Sequence, residues 1–198
     1  MRMQPAKINY KIYQGSTFQE TYRWESETKV YVPIQTVQKS APCQIATQIP
    51  HNLPQGWRFR VVGAGGMKEI NNAGDSYYVS TSVTANSIEI NQVNSLGFST
   101  YGTGGVVEYN QPIDLSGFNA RMQIREAVDS TVIIHEATTA NGQIVVDNTG
   151  KFIQITLLGN VTQNFNFTTA VYSLELYNGN NVIPFINGNL TLVQEVTR

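Results

Sequence analysis

Apolar residues recur at every second position along most of this chain, which places them on one face of extended strands and not on a helical stripe. Ile8, Tyr10 and Ile12 alternate with Asn9 and Lys11, and Ala120, Met122 and Ile124 with Arg121, Gln123 and Arg125. Ile153, Ile155 and Leu157 alternate with Gln154 and Thr156, and Tyr172, Leu174 and Leu176 with Ser173 and Glu175. Each run predicts a strand with one wet face. Phe18, Tyr22 and Trp24 line up after Gln14-Gly15, so the first two runs predict a hairpin, and Trp24 and Tyr172 are expected in the core. Asn141-Gly142, Asn148-Thr149-Gly150, Asn178-Gly179 and Asn187-Gly188 supply residues that tolerate positive φ and predict turns. Short strands spaced by such turns predict a sandwich or barrel. One helical turn is expected near 160–164, with Thr162 as its cap.

The stretch 37–111 has a different texture. It holds Pro42, Pro50 and Pro54 and glycines at 63, 65, 66, 74, 97, 102, 104 and 105, with short strands predicted at 57–62, 77–81, 87–89 and 106–109. This reads as a separate small module inserted into a host made of 1–36 and 112–198. Loop tips tolerate such insertions because their backbone is exposed and their ends are close.

Composition narrows the functional classes. A chain of 198 residues with 41% hydrophobic content can bury roughly 70% of its unfolded surface, so a folded protein is expected. Thirteen Lys and Arg stand against fourteen Asp and Glu, a net charge of -1 with no basic cluster. No nucleic acid and no anionic membrane is therefore expected as a partner. Charged residues are 14% of the chain, where about 25% is usual, and Asn, Gln, Ser and Thr take their place. Such surfaces suit proteins that pack against neighbours. Cys43 is the single cysteine, so no internal disulfide and no cysteine-based zinc cluster can form, and assembly in a cytosol is expected. The opening MRMQPAKINYK lacks the apolar core of a signal peptide, and no apolar run is long enough for a membrane-spanning helix. The Asn-x-Ser/Thr sites at Asn160, Asn166 and Asn189 are chance matches expected of an Asn- and Thr-rich chain.

Raw material for catalysis is sparse. The two histidines, His51 in a Pro-flanked turn and His135 at a strand end, lack metal-ligand spacing. Gly63-Ala64-Gly65-Gly66-Met67-Lys68 follows a predicted strand as a phosphate loop would, but Lys68 stands where a dinucleotide fingerprint needs its third glycine, and no helix follows. A tight turn accounts for those glycines. Glu25 and Glu27 lie in a charged turn and Glu195 near the C-terminus, with no sign of a carboxylate pair. Cys43 lacks a basic neighbour and reads as a small buried apolar residue. The sequence thus assigns no catalytic, cofactor-binding or metal-ligating residue, calls for no cofactor, and the expectation is that the chain is not an enzyme.

Several segments together resemble a known family. Gln14-Gly15 with Thr17-Phe18 and Trp24, Asp114-Leu115-Ser116-Gly117-Phe118 with Ala120–Arg125, Thr138-Thr139 with Asn141-Gly142, Tyr172–Leu176, and Gly188 with Glu195-Val196-Thr197-Arg198 resemble structural proteins of tailed-bacteriophage virions, in particular the N-terminal domain of upper baseplate proteins. Within the insert, His51–Trp57, Gly66–Asn71 and Ser87–Ile90 resemble the small β-barrel called the first catalytic-cysteine half-domain of ubiquitin-activating enzymes. The one cysteine lies outside that motif, so no catalytic residue is carried over. The resemblance implies an all-β protein, an immunoglobulin-like β-sandwich with a small β-barrel inserted between its N-terminal hairpin and the remaining strands. It further implies a non-enzymatic virion component of tail, baseplate, neck or head decoration, present in multiple copies or as a symmetric homo-oligomer, assembled in the bacterial cytoplasm with other virion proteins as partners. A carbohydrate-binding module for host surface glycans is the alternative, and a polysaccharide hydrolase a third reading for which the carboxylates are missing.

Overall fold

The computed structural model describes residues 4–195. Its strands are β1 (Ala6–Lys7), β2 (Tyr10–Tyr13), β3 (Phe18–Tyr22), β4 (Glu25–Val37), β5 (Cys43–Thr47), β6 (Arg58–Val62), β7 (Tyr78–Val79), β8 (Ser82–Val83), β9 (Ser87–Ile90), β10 (Val106–Pro112), β11 (Asn119–Arg125), β12 (Ile133–Thr138), β13 (Ile144–Asp147), β14 (Phe152–Leu157), β15 (Thr169–Asn178) and β16 (Asn181–Val193). A 3-10 turn at Lys68–Ile70 and the single-turn helix α1 (Gly159–Thr162) complete the elements. The protein is all-β, as its alternating pattern predicts.

The chain separates into two compact units, one of residues up to Tyr22 with those from Asp114 onward, the other of Arg23–Ile113. The junction expected at Thr36 is corrected by this division. It falls inside β4, which pairs with β10 from Glu25 opposite Pro112 to Pro33 opposite Val106 and with β5 beyond that. Glu25 and Glu27, expected in a charged turn, lie in this thirteen-residue strand. Glu27 faces solvent and the Glu25 carboxylate is largely covered, so charges close together in a strand are what a composition reading mistakes for a loop.

The first unit is a sandwich. Its larger sheet has the order β1-β16-β15-β11-β12, with β2 also on β16, and its smaller sheet the order β13-β14-β3. Ala120, Met122, Ile124, Tyr172, Leu174 and Leu176 are buried from the larger sheet, and Ile153, Ile155 and Leu157 from the smaller. The expected hairpin is absent, because β2 runs parallel to β16 whereas β3 runs antiparallel to β14. The turn at Gly15, with φ of 78°, is therefore an arch between sheets. Side chains span it: the rings of Tyr10 and Phe18 meet edge to face at 5.4 Å, and the Tyr22 hydroxyl donates to that of Tyr10 at 2.8 Å. Both strands aim their apolar faces at a shared interior, a solution that alternation does not distinguish from lateral pairing.

Asn187-Gly188 is likewise no turn but sits within β16. The chain between β1 and β2 crosses here: Ile8 N–H donates to the Asn187 carbonyl at 2.9 Å, Asn189 N–H donates to Asn9 Oδ1 at 2.9 Å, and the Tyr172 hydroxyl donates to the Ile8 carbonyl at 2.9 Å. A Cβ at Gly188 would land on the Ile8 carbonyl oxygen, so glycine marks a close backbone approach. Thr162 is no N-cap either. It closes α1, buried, and its hydroxyl donates to the Ser16 carbonyl at 2.7 Å, tying the helix to the arch.

The second unit is a barrel. Its sheet order is β7-β6-β10-β4-β5-β9-β8, yet the edge strands β7 and β8 are separated by only Ser80 and Thr81. The sheet must roll until its edges meet. Ser80 N–H donates to the Trp57 carbonyl at 3.0 Å on one side, and Thr81 N–H to the Glu89 carbonyl at 2.9 Å on the other. Trp57, Phe59, Met67, Ile45, Ile88 and Ile90 are fully buried within it, and Trp57 Nε1 donates to the Asn110 carbonyl at 3.0 Å. Trp24 departs from expectation: it follows β3, is half-buried, and its carbonyl accepts Ile113 N–H at 3.0 Å.

Candidate functional site

The glycine-rich loop has a structural explanation. Gly65 N–H donates to the Thr103 carbonyl and Gly102 N–H to the Gly65 carbonyl, both at 2.9 Å, so two glycine-rich segments cross backbone to backbone. A Cβ on Gly105, whose φ is 82°, would stand 2.7 Å from the Ala64 nitrogen. The neighbouring amides are engaged inside the loop: Ala64 N–H donates to Asn71 Oδ1 at 2.8 Å, Met67 N–H to the Gly65 carbonyl at 3.1 Å and Lys68 N–H to the Gly66 carbonyl at 3.0 Å. Cys43 is fully buried in the barrel, and burial pushes its thiol pKa up, away from a reactive thiolate. His51 is buried too. It accepts Leu53 N–H on Nδ1 at 3.0 Å and faces the Ser87 carbonyl with Nε2 at 3.2 Å, so Nε2 carries the proton and burial holds the pKa below the usual histidine value. His135 lies within β12, its Nε2 2.7 Å from Gln143 Oε1 and its ring edge-on to Phe165 at 5.6 Å.

Glu25 takes a bidentate bond from Arg58, at 2.7 and 2.6 Å. Glu195 accompanies Gln14 at the arch, and Val196, Thr197 and Arg198 of the same motif lie outside the described residues. Among the described residues no group of three or more His, Cys, Asp or Glu is placed to hold a metal ion, and no helix is long and apolar enough to cross a membrane. Of the rings that sugar stacking would use, Trp57 is buried and Tyr77 has the Arg58 guanidinium over it at 4.8 Å, while Tyr13 and Tyr31 are exposed, one in each unit.

What the fold assembles instead is a polar face on the larger sheet of the sandwich. Strand alternation turns Met122, Leu174 and Ile186 inward and their neighbours outward. The registers then align Lys7, Asn187, Ser173, Gln123 and Glu136 in one row across β1, β16, β15, β11 and β12. Arg121 and Glu175 stand opposite one another beside that row and pair at 2.8 Å. Gln123 donates Nε2 to Glu136 Oε1 at 2.6 Å and accepts Arg125 Nε and Nη2 on Oε1 at 3.3 and 2.8 Å, which fixes the orientation of its amide. Arg125 Nη1 donates to the Ser130 carbonyl. Gln123 and Arg125 line a groove of about 420 Å³, together with Val171, Ser173, Asn187, Lys7 and Val128. Sequence reasoning placed Gln123, Arg125 and Ser173 on wet faces but could not see the row, because register across strands far apart in sequence is what creates it.

At the end of the same sheet the β11–β12 hairpin tip displays apolar side chains. Val128 is 88% exposed, Val132 66% and Ile133 41%. Beyond them β12 is a sheet edge, paired with β11 alone among the described strands, and the Asn141 side chain caps its far end by donating to the Glu136 carbonyl at 3.0 Å and accepting Thr138 N–H at 2.9 Å. A bulge between Ile133 and His135 turns the near end of this edge. Neither a protein-family model nor a curated protein matches the chain.

Proposed function

We propose that this protein is a non-enzymatic structural component of a tailed-phage virion that acts by stoichiometric assembly with other virion proteins through the β11–β12 end of its sandwich. The observation that carries this reading is the hairpin tip, where Val128, Val132 and Ile133 are held out in water. Contiguous exposed apolar side chains beside polar ones mark contact surfaces in soluble proteins. An unpaired strand edge next to them offers main-chain groups to a partner strand. A low charge content gives such contacts little long-range repulsion to overcome. The family resemblance of 14–24, 114–126 and 172–176 supplies the virion context, with assembly in the bacterial cytoplasm and many copies per particle. Quantitative mass spectrometry of particles purified from cells that produce the chain tests this. A fixed, integral number of copies relative to the major tail or head protein is expected, and absence from particles while the chain is abundant in the lysate would refute it.

A further inference from the structure

The groove on the polar face holds a cation prepared for a carboxylate. Arg125 has five N–H donors. Gln123 Oε1 takes one on Nε and one on Nη2, and the Ser130 carbonyl takes one on Nη1. Two donors remain, one on each Nη, and no carboxylate pairs with Arg125 among the described residues. Such free guanidinium donors are ones a carboxylate accepts in a charge-assisted bond. The guanidinium is also held in place on two sides, so little side-chain freedom is lost when a ligand arrives. Lys7, across the groove, has no ion pair among the described residues either, whereas Arg121 is neutralised by Glu175. Glu136, in the same row but not lining the groove, is engaged by Gln123.

We infer that this groove binds an acidic peptide segment of a partner protein, with one carboxylate on Arg125 and the facing end of the segment toward Lys7. The lining favours a peptide over an acidic sugar. Asn187 and Ser173 offer donors and acceptors side by side, the complement of a peptide backbone, whereas the one ring at the groove, Tyr172, is buried and gives its hydroxyl to Ile8, leaving no face for a sugar to stack on. The groove volume lies within the range of sites that enclose small ligands. This site goes beyond the assembly reading and stands whether or not the chain is a virion protein.

The test uses the full chain and a fluorescein-labelled hexaglutamate peptide, with hexalysine and an oligoglucuronate of equal length as comparison ligands, followed by anisotropy and by amide chemical shifts. Hexaglutamate is expected to bind saturably at low salt, to weaken steeply as salt rises, and to shift amides around Arg125, Ser173 and Asn187, while hexalysine does not bind. Arg125→Gln is expected to weaken it about tenfold. Lys7→Gln, at an exposed edge position, is expected to weaken it about threefold and provides the readout if Arg125→Gln fails to fold. Hexaglutamate affinity unchanged in a folded Arg125→Gln variant, or no binding at low salt, would overturn the site. Tighter, Arg125-dependent binding of oligoglucuronate would overturn the peptide assignment.

Discussion

Trp57→Ala is expected to destabilise the barrel unit by about 3–5 kcal/mol, the range for truncating a buried tryptophan. The side chain is fully buried, and its removal also leaves the Asn110 carbonyl without the indole N–H that it accepts. Its carbonyl accepts Ser80 N–H and its amide donates to Ser80 Oγ, so the residue also holds the segment between the two sheet edges. The buried residues packed with Trp57 all belong to Arg23–Ile113, which makes the loss specific. Hydrogen exchange by mass spectrometry should show β5, β6, β9 and β10 losing protection while β11, β15 and β16 keep theirs. An equal loss of protection in both units would mean that they share one cooperative core.

Gly188→Ala is expected to have the second largest effect. Alanine is ordinarily tolerated in a strand, and Gly188 has no positive φ to forbid it. The cost comes from space: the new methyl must displace the Ile8 carbonyl, and with it the bonds of Ile8 to Asn187 and Tyr172 and of Asn9 to Asn189. Overpacking of this kind costs about 1–3 kcal/mol, and lost hydrogen bonds add to it. Amides of β1 and β2 should exchange rapidly in the variant. Gly142→Ala provides the contrast, since it has nothing within 4 Å of its Cβ and only the φ of 75° to oppose it. If Gly188→Ala melts no earlier than Gly142→Ala, the crossing of the N-terminal strands over β16 is wrong.

These two positions also show what could be read from sequence. Trp57 begins a predicted strand and its burial follows from the pattern, as does the all-β class, because burial on one face writes a period of two into the chain. Gly188 was legible only as a turn signal. Asn-Gly has the same preferences whether it makes a hairpin or clears a path for another segment, and only the parallel docking of β1 and β2, which start some 180 residues earlier, decides between them. The arch at Gly15 and the placement of β4 in the barrel were hidden for the same reason: local alternation specifies a strand but not its partner. The polar face depends on register across five strands, so its residues were visible singly and their row was not. The exposed Val128 and Val132 could have been noticed as apolar residues in a seven-residue polar loop, which is a signal that strand patterns do not capture.

Incorporation of Val132→Glu into particles tests the assembly claim most directly. Val132 is exposed and does not border the groove, so the variant should fold normally and keep its affinity for hexaglutamate. A carboxylate buried against an apolar partner surface is costly, and incorporation is expected to fall to about a tenth or less of the unmodified chain. Val182→Glu, exposed at the opposite end of the same sheet by the β11–β15–β16 registers, is expected to be incorporated normally. Equal incorporation of folded Val132→Glu and the unmodified chain would contradict assembly through the β11–β12 end.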